Sequence, residues 1–197
     1  MSGWDLGTGS KVKFTKFPEG ITRIRVLDSE PHNRWTHYQT QWKRSINCPG
    51  RDCPICEIRR QQKANKQPYT QNVSMRSALN IYNYETNRVE VMEQGKEFME
   101  DLKAVMQDLL AQGHPLYDAI ITVRRRGTGK DDTKYRIDVK EIVPPGEAEK
   151  ELFTDLTDFR TYFKQHTSEQ VLRIINGENW NDVMKIDDGE DEQIELK

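Results

Sequence analysis

All three cysteines of the chain, Cys48, Cys53 and Cys56, fall within nine residues of the stretch HYQTQWKRSINCPGRDCPIC, which runs from His37 to Cys56. An odd number of thiols crowded into one segment does not make a disulfide framework, which needs pairs spread along the chain. The two-residue spacer between Cys53 and Cys56 lets two thiolates grip one tetrahedral ion from a tight turn. Cys48, five residues earlier across Pro49-Gly50, supplies a third ligand.

A structural Zn2+ site takes four ligands, commonly three cysteines and a histidine. His37 is the nearest histidine and the favoured fourth donor, with His32 the runner-up. His114, His166 and the carboxylate of Asp52 are further candidates. A redox pair of Cys53 and Cys56 leaves Cys48 without a role and lacks the surrounding βαβ pattern. No histidine is followed two positions later by glutamate, as a zinc deaminase requires. Four protein ligands also leave no position open for water, so the expected ion is structural, no residue is assigned as catalytic, and the chain reads as a non-enzyme.

The flanking segments set the expected fold. KVKFTKF and ITRIRVL alternate apolar with basic residues and read as strands, and RWTHYQTQW reads as a third running into the cysteine loop. PICEIRRQQKANK reads as a short basic helix with proline at its start. TQNVSMRSALNIYNY and RVEVME flank the turn ETN as a hairpin, and a second hairpin surrounds the tip GTGKDD. Between them, Phe98, Met99, Leu102, Val105, Met106, Leu109 and Leu110 form one helical stripe that Gly113 and Pro115 close.

This order predicts an α+β chain, mainly β with helical additions. The expected fold is an OB-type small barrel over residues 1–186, with an inserted zinc subdomain at about 32–66 and a helical extension at about 147–186. The tip lacks the phosphate-loop pattern and joins two strands, so it reads as a basic fingertip. No stretch is apolar enough for a membrane span, and MSGWDLGTGS does not resemble a secretory signal. The expectation is a cytoplasmic protein with no membrane partner.

Charge is the second guide. Residues 1–76 carry 14 lysines and arginines against 6 acids, while residues 77–186 carry 15 against 20 and the last eleven, DDGEDEQIELK, carry one lysine against six acids. A basic first third suits a polyanion, and the acidic residues 187–197 read as a disordered tail. Single-stranded nucleic acid needs cations for phosphates and flat rings for unpaired bases. The candidate contacts are Lys11, Lys13, Arg23, Arg25, Arg34, Lys43, Arg44, Arg51, Arg59 and Arg60, interleaved with Trp35, Tyr38, Trp42, Tyr69, Tyr82 and Tyr84, together with Arg124, Arg126 and Lys130 around the fingertip.

Three features resemble a known family, the zinc-containing OB-fold single-stranded DNA-binding proteins of tailed phages, related in plan to the T-even helix-destabilising protein. They are the block RWTHYQTQWKRSINCPGRDCPIC, the hairpin YDAIITVRRRGTGKDDTKYRIDV and the acidic C-terminal residues. The resemblance implies His37, Cys48, Cys53 and Cys56 as zinc ligands and DNA held in a cleft lined by aromatic and basic residues. It also implies self-association on DNA, although the short MSGWDLGTGS is not the basic arm of the T-even proteins. Protection of single strands in phage replication, recombination and repair, inside an infected bacterial cell, is the implied role, with replication or recombination proteins recruited by the tail. The rival reading is a zinc-stabilised adaptor that recruits such proteins without touching DNA.

Overall fold

The computed structural model describes residues 12–129 and 132–185. In chain order its elements are β1 (Gly20–Val26), β2 (His32–Gln39), β3 (Arg44–Asn47), α1 (Pro54–Ala64), β4 (Ser74–Asn83), β5 (Arg88–Gly95) and α2 (Lys96–Ala111). A single 3-10 turn, Leu116–Asp118, leads into β6 (Ala119–Arg126) and β7 (Lys134–Ile142). Four helices follow: α3 (Glu147–Lys150), α4 (Phe159–Tyr162), α5 (Ser168–Ile175) and α6 (Trp180–Lys185). The chain is α+β, and no helix among the described residues is long and apolar enough to cross a membrane.

Two compact units share the chain, one formed by residues up to 33 with 76–162, the other by 34–75 with 163 onward. The subdomain expected at about 32–66 is therefore larger and discontinuous in sequence. The expected helical extension is divided, α3 and α4 belonging to the first unit and α5 and α6 to the second.

In the first unit five strands pair antiparallel in the order β5-β4-β1-β6-β7. The β4–β5 hairpin runs in register from Arg76 opposite Gly95 to Asn83 opposite Arg88. Helix α2 follows β5 and lays Phe98, Leu102 and Leu109 into a core with Ile24, Val26, Leu79, Ile81, Met92, Ile121 and Val123. Among the described residues no ladder joins β5 to β7, so the sheet is not closed and does not by itself form the expected OB-type barrel.

Two local expectations also change. KVKFTKF is not a strand, since its described part makes one parallel bridge, Phe14 with Val91. RWTHYQTQW does not stay extended either. The strand stops at Gln39 and the chain turns through residues 40–43, where Lys43 takes a φ of +51°, and returns as β3 with Thr36 opposite Asn47. Trp42 thus sits in a turn. At the β6–β7 tip Gly127 has a φ of +82°, and a Cβ there would collide with the carbonyl of Asp132, so the turn requires glycine.

The second unit packs the β2–β3 hairpin, α1, α5 and α6 around Ile46, Cys53, Ile55, Val171, Ile174 and Val183. Helix α5 starts at a reciprocal cap: the Gln170 backbone N–H donates to Thr167 Oγ1 at 3.1 Å, and the Thr167 N–H donates to Gln170 Oε1 at 2.8 Å.

Candidate metal centre and basic groove

Each ligand is placed by a local backbone device. His37 is fully buried on β2. Cys48 directly follows β3, and its N–H continues the hairpin to the Trp35 carbonyl at 2.9 Å. At Gly50, with a φ of +95°, the chain reverses so that the Gly50 N–H faces Cys48 Sγ at 3.4 Å. Cys53 occupies the N-cap position of α1 without a side-chain capping bond and Cys56 lies in its first turn, where the helix dipole favours thiolate.

The four donor atoms lie within 4.8 Å of one another. His37 Nε2 is 3.2 Å from Cys53 Sγ and 3.8 Å from Cys56 Sγ, and Cys48 Sγ is 3.7 Å from Cys56 Sγ. Metal–sulfur bonds of about 2.3 Å at tetrahedral angles would put two sulfurs about 3.8 Å apart, and these three spacings are of the size that a small tetrahedral ion would need. They are far too long for a disulfide, and all three cysteines are free.

The protonation chemistry fits the same occupant. Burial raises the Cys53 thiol, and burial with the neighbouring Cys48 pushes the Cys56 thiol up to about 12. Burial also holds the His37 imidazole below its usual range; the Asn72 backbone opposes this and the charge of Arg59 adds to it. His37 Nδ1 is buried without a well-formed hydrogen bond. A cation among the donors would stabilise two thiolates and the neutral imidazole together. The arrangement of three cysteines and one histidine is thus able to bind a metal ion.

Beside the ligands lies a groove of about 380 Å³, lined by Trp35, Cys56, Arg59, Arg60, Lys63, Tyr69 and Val73. Its two rings are among the most exposed aromatics described, Trp35 at 56% and Tyr69 at 51%. The Arg59 guanidinium stacks on Tyr69 at 4.0 Å from the ring centre and also donates to the Gln71 carbonyl. Arg60 pairs with Glu57 on its own helix at 2.7 Å, and no carboxylate lines the groove.

Lys63 and Val73 had not been singled out from the sequence. Lys63 was legible in principle, because residues 56, 59, 60 and 63 repeat at the helical i, i+3, i+4, i+7 spacing and share one face of α1.

The remaining candidates divide by surroundings. Tyr38, Lys43, Arg44 and Arg51 are exposed on the second unit, with Arg44 5.5 Å from the Trp180 ring centre. Arg34 stacks on Phe163 and donates to Asn47 Oδ1 at 2.7 Å, while Trp42 packs half-buried against the second core. On the first unit Lys13, Arg124 and Arg126 are exposed, and Arg23 pairs with Glu85 at 2.9 Å. Lys11 and Lys130 lie outside the described residues, as does the acidic segment 187–197.

Three candidates do not present a binding surface. Arg25 is 0% exposed and donates to Tyr84 Oη, to the Glu149 carboxylate and to the carbonyls of Tyr117 and Val143. Tyr82, 3% exposed, packs against Tyr84 and Phe153. Tyr84 donates to Glu149, and burial with that bond pushes its phenol up to about 12. Strand β1 alternates as a strand with one basic face should, but α3 brings Glu149 over Arg25 and turns a predicted contact into an interior ion pair.

No family model and no curated protein matches this chain.

Proposed function

We propose that this chain is a sequence-independent single-stranded DNA-binding protein in which a structural zinc ion shapes the binding surface. Three sulfurs and an imidazole are the donor set that suits zinc. The antiparallel order of the first unit, with a helix between its third and fourth strands, supports reading it as an OB-type barrel left partly open, a fold that binds oligonucleotides. The zinc-binding loop would then be an insertion between the first and second barrel strands.

The observation that carries the reading is the groove. Two exposed rings and three cations line it, Arg60 being offset by Glu57 outside the lining, and rings with cations are the parts needed to stack bases and neutralise phosphates. Residues 34–75 as a whole hold eight lysines and arginines against two acids. Protection and presentation of single strands during phage replication, recombination and repair is the corresponding role, and residues 187–197 would recruit other proteins of those processes.

Fluorescence anisotropy of a labelled oligothymidylate and of a duplex of the same length, at two salt concentrations, tests the reading. Tighter binding of the single strand and a steep loss of affinity with salt are expected. Equal affinity for the two forms would sink it.

A further inference from the structure

A cleft of about 690 Å³ opens on the first unit, and its lining carries carboxylates in excess, Glu90, Glu151, Asp155 and Asp158 against Lys13 and Arg88. One side is β5 from Arg88 to Val91 together with residues 12 and 13. The other is the segment 151–158, which contributes Glu151, Leu152, Asp155, Leu156 and Asp158.

That segment is firmly held. The Thr157 N–H donates to Asn80 Oδ1 at 2.9 Å and Asn80 Nδ2 donates to the Thr157 carbonyl at 3.2 Å, while Asp28 accepts from the Asn80 side chain. Phe153 packs between Tyr82 and Tyr117, with ring centres 5.4 and 5.9 Å away, and Phe159 is buried. Phe153 and Phe159 therefore serve as inward anchors. Leu152 and Leu156 stay 51% and 50% exposed on a fixed backbone, flanked by carboxylates, and their exposure does not come from a loose loop.

We infer that this cleft docks a lysine- or arginine-rich segment of a partner protein that carries apolar side chains between its cations. Leucines at the cleft would take the apolar side chains, and Glu151, Asp155 and Asp158 would meet the cations. Nucleic acid is disfavoured because its phosphates would face Glu151, Asp155 and Asp158 with Lys13 as the main offsetting cation, Arg88 already lying 3.9 Å from Glu90, and the chain's own acidic residues 187–197 are disfavoured for the same reason. The inference stands apart from the DNA-binding reading, because it uses neither the groove nor the metal ligands.

The test is NMR of the full chain with 13C-labelled leucine methyls, titrated with the peptide Ac-KLKSLKK-NH2 and with Ac-ELESLEE-NH2 as control. The basic peptide should shift the Leu152 and Leu156 methyl signals in a saturable way. Its affinity should fall at least tenfold in Glu151→Lys and in the double substitution Leu152→Ala, Leu156→Ala, exposed positions whose replacement should leave the remaining spectrum unchanged. The acidic peptide should leave the two signals in place. Absence of binding would overturn the inference, as would shifts confined to Leu196 in the acidic segment. A dimer in sedimentation that the double substitution abolishes would assign the cleft to a second copy and overturn it equally.

Discussion

The Arg59 guanidinium lies 4.0 Å from the centre of the Tyr69 ring, and Arg59 sits three residues after Cys56 on the same helix. One end of α1 is thus tied to the metal donors while its next turn positions an aromatic of the groove. Whatever loosens the start of α1 must disturb the Arg59–Tyr69 stack, so the candidate metal donors and the groove are mechanically connected.

Removing the ion should therefore abolish single-strand binding and unfold the second unit while sparing the first. Structural zinc contributes on the order of 10 kcal/mol in isolated zinc modules, more than a core of six buried residues is expected to spare. Hydrogen exchange after chelation, or in Cys53→Ser, should show lost protection around Ile46, Ile55 and Val171. Amides around Ile24, Ile81 and Ile121 should stay protected.

Trp35→Ala and Tyr69→Ala should each weaken oligothymidylate binding by about 1–3 kcal/mol, roughly 5- to 150-fold. Both side chains are largely exposed, so stability should change by no more than about 0.5 kcal/mol. Anisotropy titration paired with urea denaturation separates the two effects.

Arg25→Ala should do the opposite. It removes a donor from the half-buried Glu149 carboxylate, which keeps its bond from Tyr84, and from two backbone carbonyls, and because breaking a fully buried ion pair costs about 3–5 kcal/mol the loss here should be about 2–4 kcal/mol. Tyr82→Ala should cost a similar amount through the cavity it leaves. A loss of DNA affinity in either variant, under conditions where calorimetry shows it fully folded, would contradict their placement as interior residues.

The pH dependence follows from the ligands. Because the Cys53 and Cys56 thiols are raised, both carry protons at neutral pH before the ion arrives, and binding should release at least two protons. Calorimetry in buffers of different ionisation enthalpy measures that number. His37 has its folded pKa lowered, so below about 6.5 the unfolded chain takes up the proton first. Its contribution to stability is full above that value and declines as pH falls through it. Acid should therefore release the metal and destabilise the second unit together.

Much of this architecture was legible because the signals are local. The stripe from Phe98 to Leu109 specifies α2 by its period, the turn after Asn83 specifies the β4–β5 hairpin, and the cysteine spacing with a preceding histidine specifies the donor set. What was not legible depends on distant partners. Arg25 alternates like a surface residue, and only Glu149, 124 positions later, makes it interior. From sequence the second unit reads as a strand, a cysteine loop and a short exposed helix, since nothing near Ile46 or Ile55 announces that Val171, Ile174 and Val183 will cover them. Trp42 was assigned to a strand because the sequence does not mark where β2 ends and the turn begins.

The discontinuity of the second unit also sets a timetable. Residues 34–75 leave the ribosome about a hundred residues before the helices that complete their core, and at roughly 5–20 residues per second that is a wait of about 5–20 s. The first unit is complete at residue 162, before α5 and α6 exist. In the interval the thiols of Cys48, Cys53 and Cys56 are not yet covered by α5 and α6, so an ion bound at that stage would be enclosed when those helices pack, and an oxidant would find the thiols most accessible then.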